Sequence, residues 1–176
     1  VTIPLGQNST RRQLTLFVSD DSGAIEKIRQ QFNPIQHKLI SAHVTLCRED
    51  EIVQIDRVIK NTELIKSAGP LKITFNKVER FEGGKGVWLP SSTENKQFHE
   101  LRREILKGLN DTPRHHQPHL TLMHPRNSSC TDKIFDQIRA FELPTEILFE
   151  KISLVEQHDG GPWMTINEYR IAPIES

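Results

Sequence analysis

Apolar positions recur along the chain in two rhythms. Alternation over residues 14–18 predicts a strand. Asp20, Asp21 and Ser22 then offer capping oxygens to a helix whose Ile25, Ile28 and Phe32 share one face, and Asn33-Pro34 ends it. Residues 43–47 read as a short strand. A helix over 51–65, with Ile52, Ile55 and Ile59 inward, runs to the Gly69-Pro70 break. Leu71, Ile73 and Phe75 alternate as in a half-buried strand, and the turn 82–86 folds the chain back into Val87-Trp88-Leu89 as a hairpin. After Pro90, Ser91-Ser92-Thr93-Glu94 has the spacing of a capping box for a helix with Phe98, Leu101, Ile105 and Leu109 on its buried stripe. The charged run 96–107 is the outer face of that helix. Residues 119–123 form a second short strand. Ser129 to Asp132 starts a helix carrying Ile134, Ile138 and Phe141, which Pro144 closes. Strands over 147–155 and 163–171, joined through 158–162, make a final hairpin.

Helix, strand, helix, hairpin is therefore followed by the same order again, an internal repeat with halves of about 13–90 and 91–171 in one bilobal domain spanning 1–176. His43-Val44-Thr45-Leu46 and His119-Leu120-Thr121-Leu122 fill the same slot in each half. In a strand, positions i and i+2 project to one face, so each motif sets an imidazole beside a hydroxyl. Halves packed about an approximate two-fold axis bring two His and two Thr into one cleft. One neutral imidazole takes a proton from a nucleophile, one protonated imidazole gives a proton to a leaving group, and the hydroxyls donate to an oxyanion. In-line displacement at phosphorus needs this set. No metal or cofactor is implied, because no third carboxylate or thiolate stands at ligand spacing.

Composition narrows the partners. A chain of 176 residues has length enough for a real core, burying roughly 70% of its extended surface. The 23 Lys+Arg balance 23 Asp+Glu, which removes the electrostatic footprint of a long-duplex binder and leaves short or terminal nucleic acid. No apolar run approaches the ~20 residues of a membrane span, and no charged-then-apolar signal pattern opens the sequence. A cytoplasmic protein, without membrane or obligate protein partner and monomeric, is the expectation. Cys47 and Cys130 are too few for a disulfide framework and are expected free.

The paired motifs resemble the 2H phosphoesterase superfamily, and within it the RNA 2',3'-cyclic phosphodiesterase or 2',5'-RNA ligase-like branch. The likeness covers Gln13 to Ile171. It implies an α+β, bilobal, duplicated fold, with two antiparallel sheets lining a central cleft and helices outside. It makes His43 and His119 the acid–base pair, and Thr45 and Thr121 the phosphate donors. The implied activity is hydrolysis of 2',3'-cyclic phosphates or related 2'-linked phosphodiesters, on RNA ends or small nucleotide cyclic phosphates. Bacterial members often carry a phosphate-binding Arg five residues after the second motif His. Here that place is His124, with Arg126 two residues on, and the matching place in the first half is Arg48. Strict alternation sends Arg48 and His124 away from the motif face, but a strand ending there leaves their direction open.

Trp88 and Trp163 are candidates to stack a base and equally candidates for the core. Cys47 and Met123 share the motif face by alternation and fill space below the His–Thr rows. His115 and His116, beside His119 and His124, converge poorly for a metal; His37, His99 and His158 are expected on the surface. Lys85 sits in a solvated turn. Two other readings stay open: 2',5'-ligation, which is the same chemistry reversed, and a non-catalytic module that sequesters RNA ends. Turnover of a simple cyclic nucleotide separates enzyme from binder. Selectivity is expected in 111–118 and 82–86.

Overall fold

The elements follow the sequence rhythm closely at the strands and less closely at the helix ends. A computed structural model describes residues 9–19, 23–67, 69–92 and 94–171. In chain order these form β1 (Thr10–Phe17), α1 (Ala24–Phe32), α2 (Pro34–Leu39), β2 (His43–Cys47), α3 (Ile55–Glu63), β3 (Leu71–Thr74) and β4 (Glu79–Arg80). There follow β5 (Val87–Pro90), α4 (Lys96–Ile105), β6 (His119–Met123), α5 (Asp132–Arg139), β7 (Glu146–Phe149), β8 (Lys151–His158) and β9 (Trp163–Arg170). The chain has the α+β architecture the sequence implied.

Seven strands make one sheet in the order β4-β5-β6-β2-β1-β8-β9, and β3 and β7 make a second. Every named pairing is antiparallel. The two motif strands lie side by side at the centre of the larger sheet, joined at Val44 and Leu120. Both of those side chains are fully buried, at 0% exposure. The β2–β6 and β3–β7 pairs each couple one half of the repeat to the other. Helix α1 packs on β6, and α4 packs on β2 and β3. Ile25 and Ile28 of α1, and Phe98, Leu101 and Ile105 of α4, close over Leu14, Leu16, Val44, Leu46, Leu120 and Leu122. Each such side chain contributes roughly 1.5–3 kcal/mol by leaving water, so one sheet face is committed to the core and the other is left for chemistry.

Several boundaries move, each for a tertiary reason. The candidate caps Asp20 to Ser22 lie outside the described residues. Helix α3 starts at Ile55, not Glu51, and buries Val58 and Thr62; Ile52 is buried from the preceding turn. The capping box does not form: Ser91 is buried, bridged to Phe75 and donating its N–H to the Pro118 carbonyl. Helix α4 begins instead after Asn95, whose φ of 53° is left-handed. At α5 the expected start holds, because Thr131 Oγ1 accepts from Ile134 N at 3.2 Å. The hairpin partner of β5 is β4, while the strand at Leu71 pairs with β7. The strand expected over 147–155 is two: the chain changes sheets at Glu150, whose carbonyl accepts from Ile171 N at 2.8 Å.

Candidate active site

Antiparallel register around Val44 and Leu120 sets His43 opposite Thr121 and Thr45 opposite His119. Neighbouring strands extend both rows. Phe17 pairs with His43 and Trp88 with Thr121; Thr15 pairs with Thr45 and Pro90 with His119. All four motif side chains are half-buried on one face of the sheet. They form a rectangle with the imidazoles on one diagonal and the hydroxyls on the other. Diagonal positions in such a pair lie ~7–8 Å apart, enough to seat a tetrahedral phosphate between the rings.

Both rings are fixed in the same way. His43 Nδ1 contacts the Ser41 carbonyl at 2.8 Å, and His119 Nδ1 contacts the Gln117 carbonyl at 3.0 Å. A carbonyl only accepts, so each Nδ1 carries hydrogen and each Nε2 is the nitrogen able to accept a proton when the ring is neutral and donate one when it is charged. Aromatic edges pack each ring. Phe17 lies 6.1 Å from His43, and Trp88 and Phe81 lie 5.2 and 6.2 Å from His119, all T-shaped. Burial pushes His43 down to about 4, against the pull of the Ser41 carbonyl; the positive charges of Arg29 and His119 push the same way, and Glu26 opposes them. His119 is also lowered, by burial first and then by Arg48, with the Gln117 carbonyl opposing.

The carbonyl that holds His43 is itself clamped from α1. Arg29 donates to Ile40 O at 2.8 Å, while Glu26 accepts from Ala42 N, Arg29 and His37. Ser41 is caught between. In the other half, Gln117 is held by neutral groups: its Nε2 donates to Ser91 O at 2.7 Å.

Each motif strand carries a bulge at the same place. Thr15 pairs with Thr45 but Leu14 with Cys47, so Leu46 is the extra residue; Trp88 pairs with Thr121 but Val87 with Met123, so Leu122 is its counterpart. A bulge reverses the alternation beyond it. Cys47 and Met123 therefore turn into the core, at 0% and 1% exposure, and do not lie below the His–Thr rows as alternation predicts. By the same phase, positions 48 and 124 return to the motif side. Arg48 is exposed there and its charge acts on His119. His124 is engaged locally: its Nδ1 accepts from Arg126 N at 3.1 Å and its N–H donates to Asn33 Oδ1 at 2.8 Å. Arg126 is exposed on that turn.

Of the tryptophans, Trp88 is brought to the site, stacked on Phe81 at 5.4 Å beside His119, with Nε1 buried and unpartnered among the described residues. Gly86 makes that contact possible, since a Cβ there would come within 2.5 Å of the Phe81 ring and 2.8 Å of Met123 O. Trp163 is not brought there; it sits on β9, three strands from β2, under the Arg11 guanidinium. His99 is buried, contrary to the surface expectation, and stacks on His115 at 3.7 Å. His37 is half-buried against Glu26, and His158 is exposed. His116 Nε2 reaches the Thr45 carbonyl at 3.4 Å, so the clustered histidines face different partners. Among the described residues, no three His, Cys, Asp or Glu converge as metal ligands. Both cysteines are free. Sequence reasoning missed Glu26, Arg29, Glu51 and Arg102. For Arg102 a signal existed, because it falls four residues after Phe98 and three before Ile105, on the buried stripe.

No curated protein matches the chain. Among solved structures, LigT of E. coli complexed with phosphate superposes with a TM-score of 0.56 at 12% identity, covering 95% of this chain and 100% of LigT. TT0787 of Thermus thermophilus gives 0.57 at 15%, covering 94% and 100%. A crystal structure described as a phosphoesterase gives 0.56 at 14%, covering 93% and 99%. At such identities the likeness is one of fold. A family model described as the 2'-5' RNA ligase superfamily matches residues 17–161. Taken with the two His-x-Thr strands, that match places the chain in the 2'-5' RNA ligase superfamily of 2H phosphoesterases.

Proposed function

We propose that the protein is a metal-independent phosphoesterase that opens 2',3'-cyclic phosphates, or cleaves related 2'-linked phosphodiesters, at RNA ends or on nucleotides. The carrying observation is the β2–β6 register, which sets two imidazoles and two hydroxyls on adjacent strands with both Nδ1 atoms already committed to carbonyls. Water attacks phosphorus in line and yields its proton to the Nε2 of one ring. The bond from phosphorus to one ribose oxygen breaks, and the other ring's Nε2–H protonates that oxygen. Thr45 and Thr121 donate to the non-bridging oxygens, whose charge grows in the transition state. The product is a phosphomonoester beside a free hydroxyl, and no metal enters the balance. LigT has been solved with phosphate, 3'-AMP, ATP and NADP+, which supports a nucleotide ligand for this fold. No described helix is long and apolar enough to cross a membrane.

The test is turnover of 2',3'-cyclic nucleotides and of RNA with a cyclic end by His43→Ala, His119→Ala and the double variant. Each single change should cost roughly 10²- to 10⁴-fold in kcat/KM, and the double much less than the product, because both rings act on one transition state. Rates near wild type in both single variants, with RNA ends still bound, would replace the enzyme by a sequestering module.

A further inference from the structure

Arg29 and Arg102 are the only arginine or lysine side chains buried among the described residues, at 2% and 1% exposure. They hold the same place in a second duplicated pattern. Ile25-x-x-Ile28-Arg29-x-x-Phe32 on α1 recurs as Phe98-x-x-Leu101-Arg102-x-x-Ile105 on α4, so each guanidinium emerges from the apolar stripe that its helix turns to the core.

Each arginine pairs with a glutamate, and each pair grips the backbone in the same way. Arg29 donates to Ile40 O at 2.8 Å, while Glu26, 3.2 Å from Arg29, accepts from Ala42 N. Arg102 donates to Leu46 O at 2.6 Å, while Glu51, 2.6 Å from Arg102, accepts from Arg48 N at 3.0 Å. One pair therefore takes a carbonyl and the amide two residues on, just ahead of β2; the other takes the same two groups across its far end. The five-residue strand that carries His43 and Thr45 is held at both ends. These grips also reach the other motif strand. Arg102 donates to Arg114 O at 3.1 Å on the way into β6, and at the end of α1 the buried Asn33 accepts through Oδ1 from His124 N at 2.8 Å, just beyond β6.

The joint between the motif strands needs such support. Strands β2 and β6 share one ladder pair, Val44 with Leu120, whereas β1 meets β2 at four positions and β5 meets β6 at four. The most sparsely paired joint of the larger sheet thus lies between the two imidazoles, where a misplacement of ~1 Å costs on the order of 10²-fold in rate. A buried ion pair is usually no net gain in stability over apolar side chains of similar volume, so stability does not account for two of them at the ends of one strand.

We propose that Arg29–Glu26 and Arg102–Glu51 are a duplicated positioning clamp, which fixes the His43 strand against the His119 strand and so sets the gap between the two imidazoles. The proposal rests on the phosphoesterase reading and names what holds that site in register. Both guanidiniums are sealed from solvent and committed to a carboxylate and a main-chain carbonyl, so they act through the strand and not on the substrate. Arginine suits the task because its planar fork joins two acceptors at fixed angles.

The experiment compares wild type with Arg29→Lys and Arg102→Lys, which keep the charge and lose the fork. NMR follows hydrogen exchange of the β2 and β6 amides, the cross-strand NOE contacts of Val44 with Leu120, and the ring nitrogens of His43 and His119; kinetics on a 2',3'-cyclic nucleotide gives kcat and KM. Each folded variant should exchange its β2 amides roughly 10-fold faster or more, weaken the Val44–Leu120 contacts, and lose roughly 10- to 100-fold in kcat with KM changed much less. The His43 ring leans on the Ser41 carbonyl that Arg29 and Glu26 bracket. It should therefore become a mixture of tautomers in Arg29→Lys and keep one tautomer in Arg102→Lys, a split that general loss of packing would not produce. Folded variants with wild-type kcat, or with exchange and NOE contacts unchanged, overturn the proposal. Should a variant not fold, the wild-type protein gives the answer: slow guanidinium rotation at both Arg29 and Arg102 supports the clamp, and rotation at either as fast as in exposed arginines overturns it. Cyclic-phosphate turnover that the variants leave untouched would sink this inference alone; a joint that loosens as expected in a protein that turns over no cyclic phosphate would sink the phosphoesterase reading alone.

Discussion

For the proposed phosphoesterase, two imidazoles lowered by burial predict a pH dependence that lies below neutrality. For a base–acid pair, kcat/KM reports the free enzyme and needs one ring neutral and one protonated. Both rings are lowered from 6.5, His43 to about 4. Limb positions do not depend on which ring is base; assignment alters only the height of the bell. One limb should therefore fall near pH 4, and the alkaline limb should lie below 6.5. Above the alkaline limb the rate drops tenfold per pH unit, so kcat/KM at pH 8 should lie at least about 30-fold below its optimum. The kcat profile should sit higher, because a bound phosphodiester anion favours the imidazolium form. Two substitutions shift the limbs in opposite senses. Glu26→Gln removes a raising charge, so the His43 limb moves further down; Arg48→Gln removes a lowering charge, so the His119 limb moves up. The assay is kcat/KM on a 2',3'-cyclic nucleotide across pH 3.5–9 (roughly the range both limbs require), with ring titrations by NMR. A kcat/KM optimum at or above pH 7, with both limbs above 6.5, would refute the argument that burial sets these rings.

Two further outcomes follow from the same geometry. Arg102→Ala leaves the Glu51 carboxylate, whose side chain is 7% exposed, to the Arg48 N–H at 3.0 Å and the more distant Arg114 at 3.8 Å, and should cost about 3–5 kcal/mol, read as a urea midpoint lower by on the order of 1–3 M. Burial alone would raise Glu51, yet Arg102 holds it below the usual carboxylate range; this contribution is present above the unfolded pKa and is lost as pH falls through the folded one, so the gap between variant and wild type should narrow in acid. A loss under about 1 kcal/mol at pH 7 would mean that the pair is not sealed from water. Activity should also survive exhaustive chelation, since two His and two Thr complete the proton and charge balance; complete loss that a divalent ion restores would overturn the mechanism.

What the sequence revealed and what it hid divide along a physical line. The His-x-Thr strands, the face of α1 and the 158–162 turn were legible because local periodicity and turn chemistry determine them. The bulges at Leu46 and Leu122 were not, since one extra residue in a ladder leaves no mark in composition, and yet they decide where Arg48, Cys47 and Met123 point. The start of α3 was hidden for a related reason. Glu51 has helix-forming character, but Arg102 and the Arg48 N–H take its carboxylate, and the helix waits until Ile55. Likewise, Ser91 has cap chemistry, but the Pro118 carbonyl takes its N–H. In each case a contact distant in sequence overrode a local preference, which single-residue propensities of under about 1 kcal/mol cannot resist.

The duplicated rectangle also explains why the surrounding charges are unlike. Two imidazoles with identical surroundings would share a single proton equally, so half of the singly protonated molecules would carry it on the ring that must act as base. The backbone does not separate them, because both rings lean on a carbonyl two residues back. The distinction comes from outside the motifs. Beside His43, the buried Arg29 lowers and the Glu26 carboxylate raises the ring from α1, in opposition; beside His119, Arg48 lowers it from beyond a bulge. A pseudo-symmetric fold thus supplies the geometry twice, while Glu26, Arg29 and Arg48 give the two half-buried rings unlike electrostatic surroundings, the asymmetry that the proposed division into one base and one acid needs.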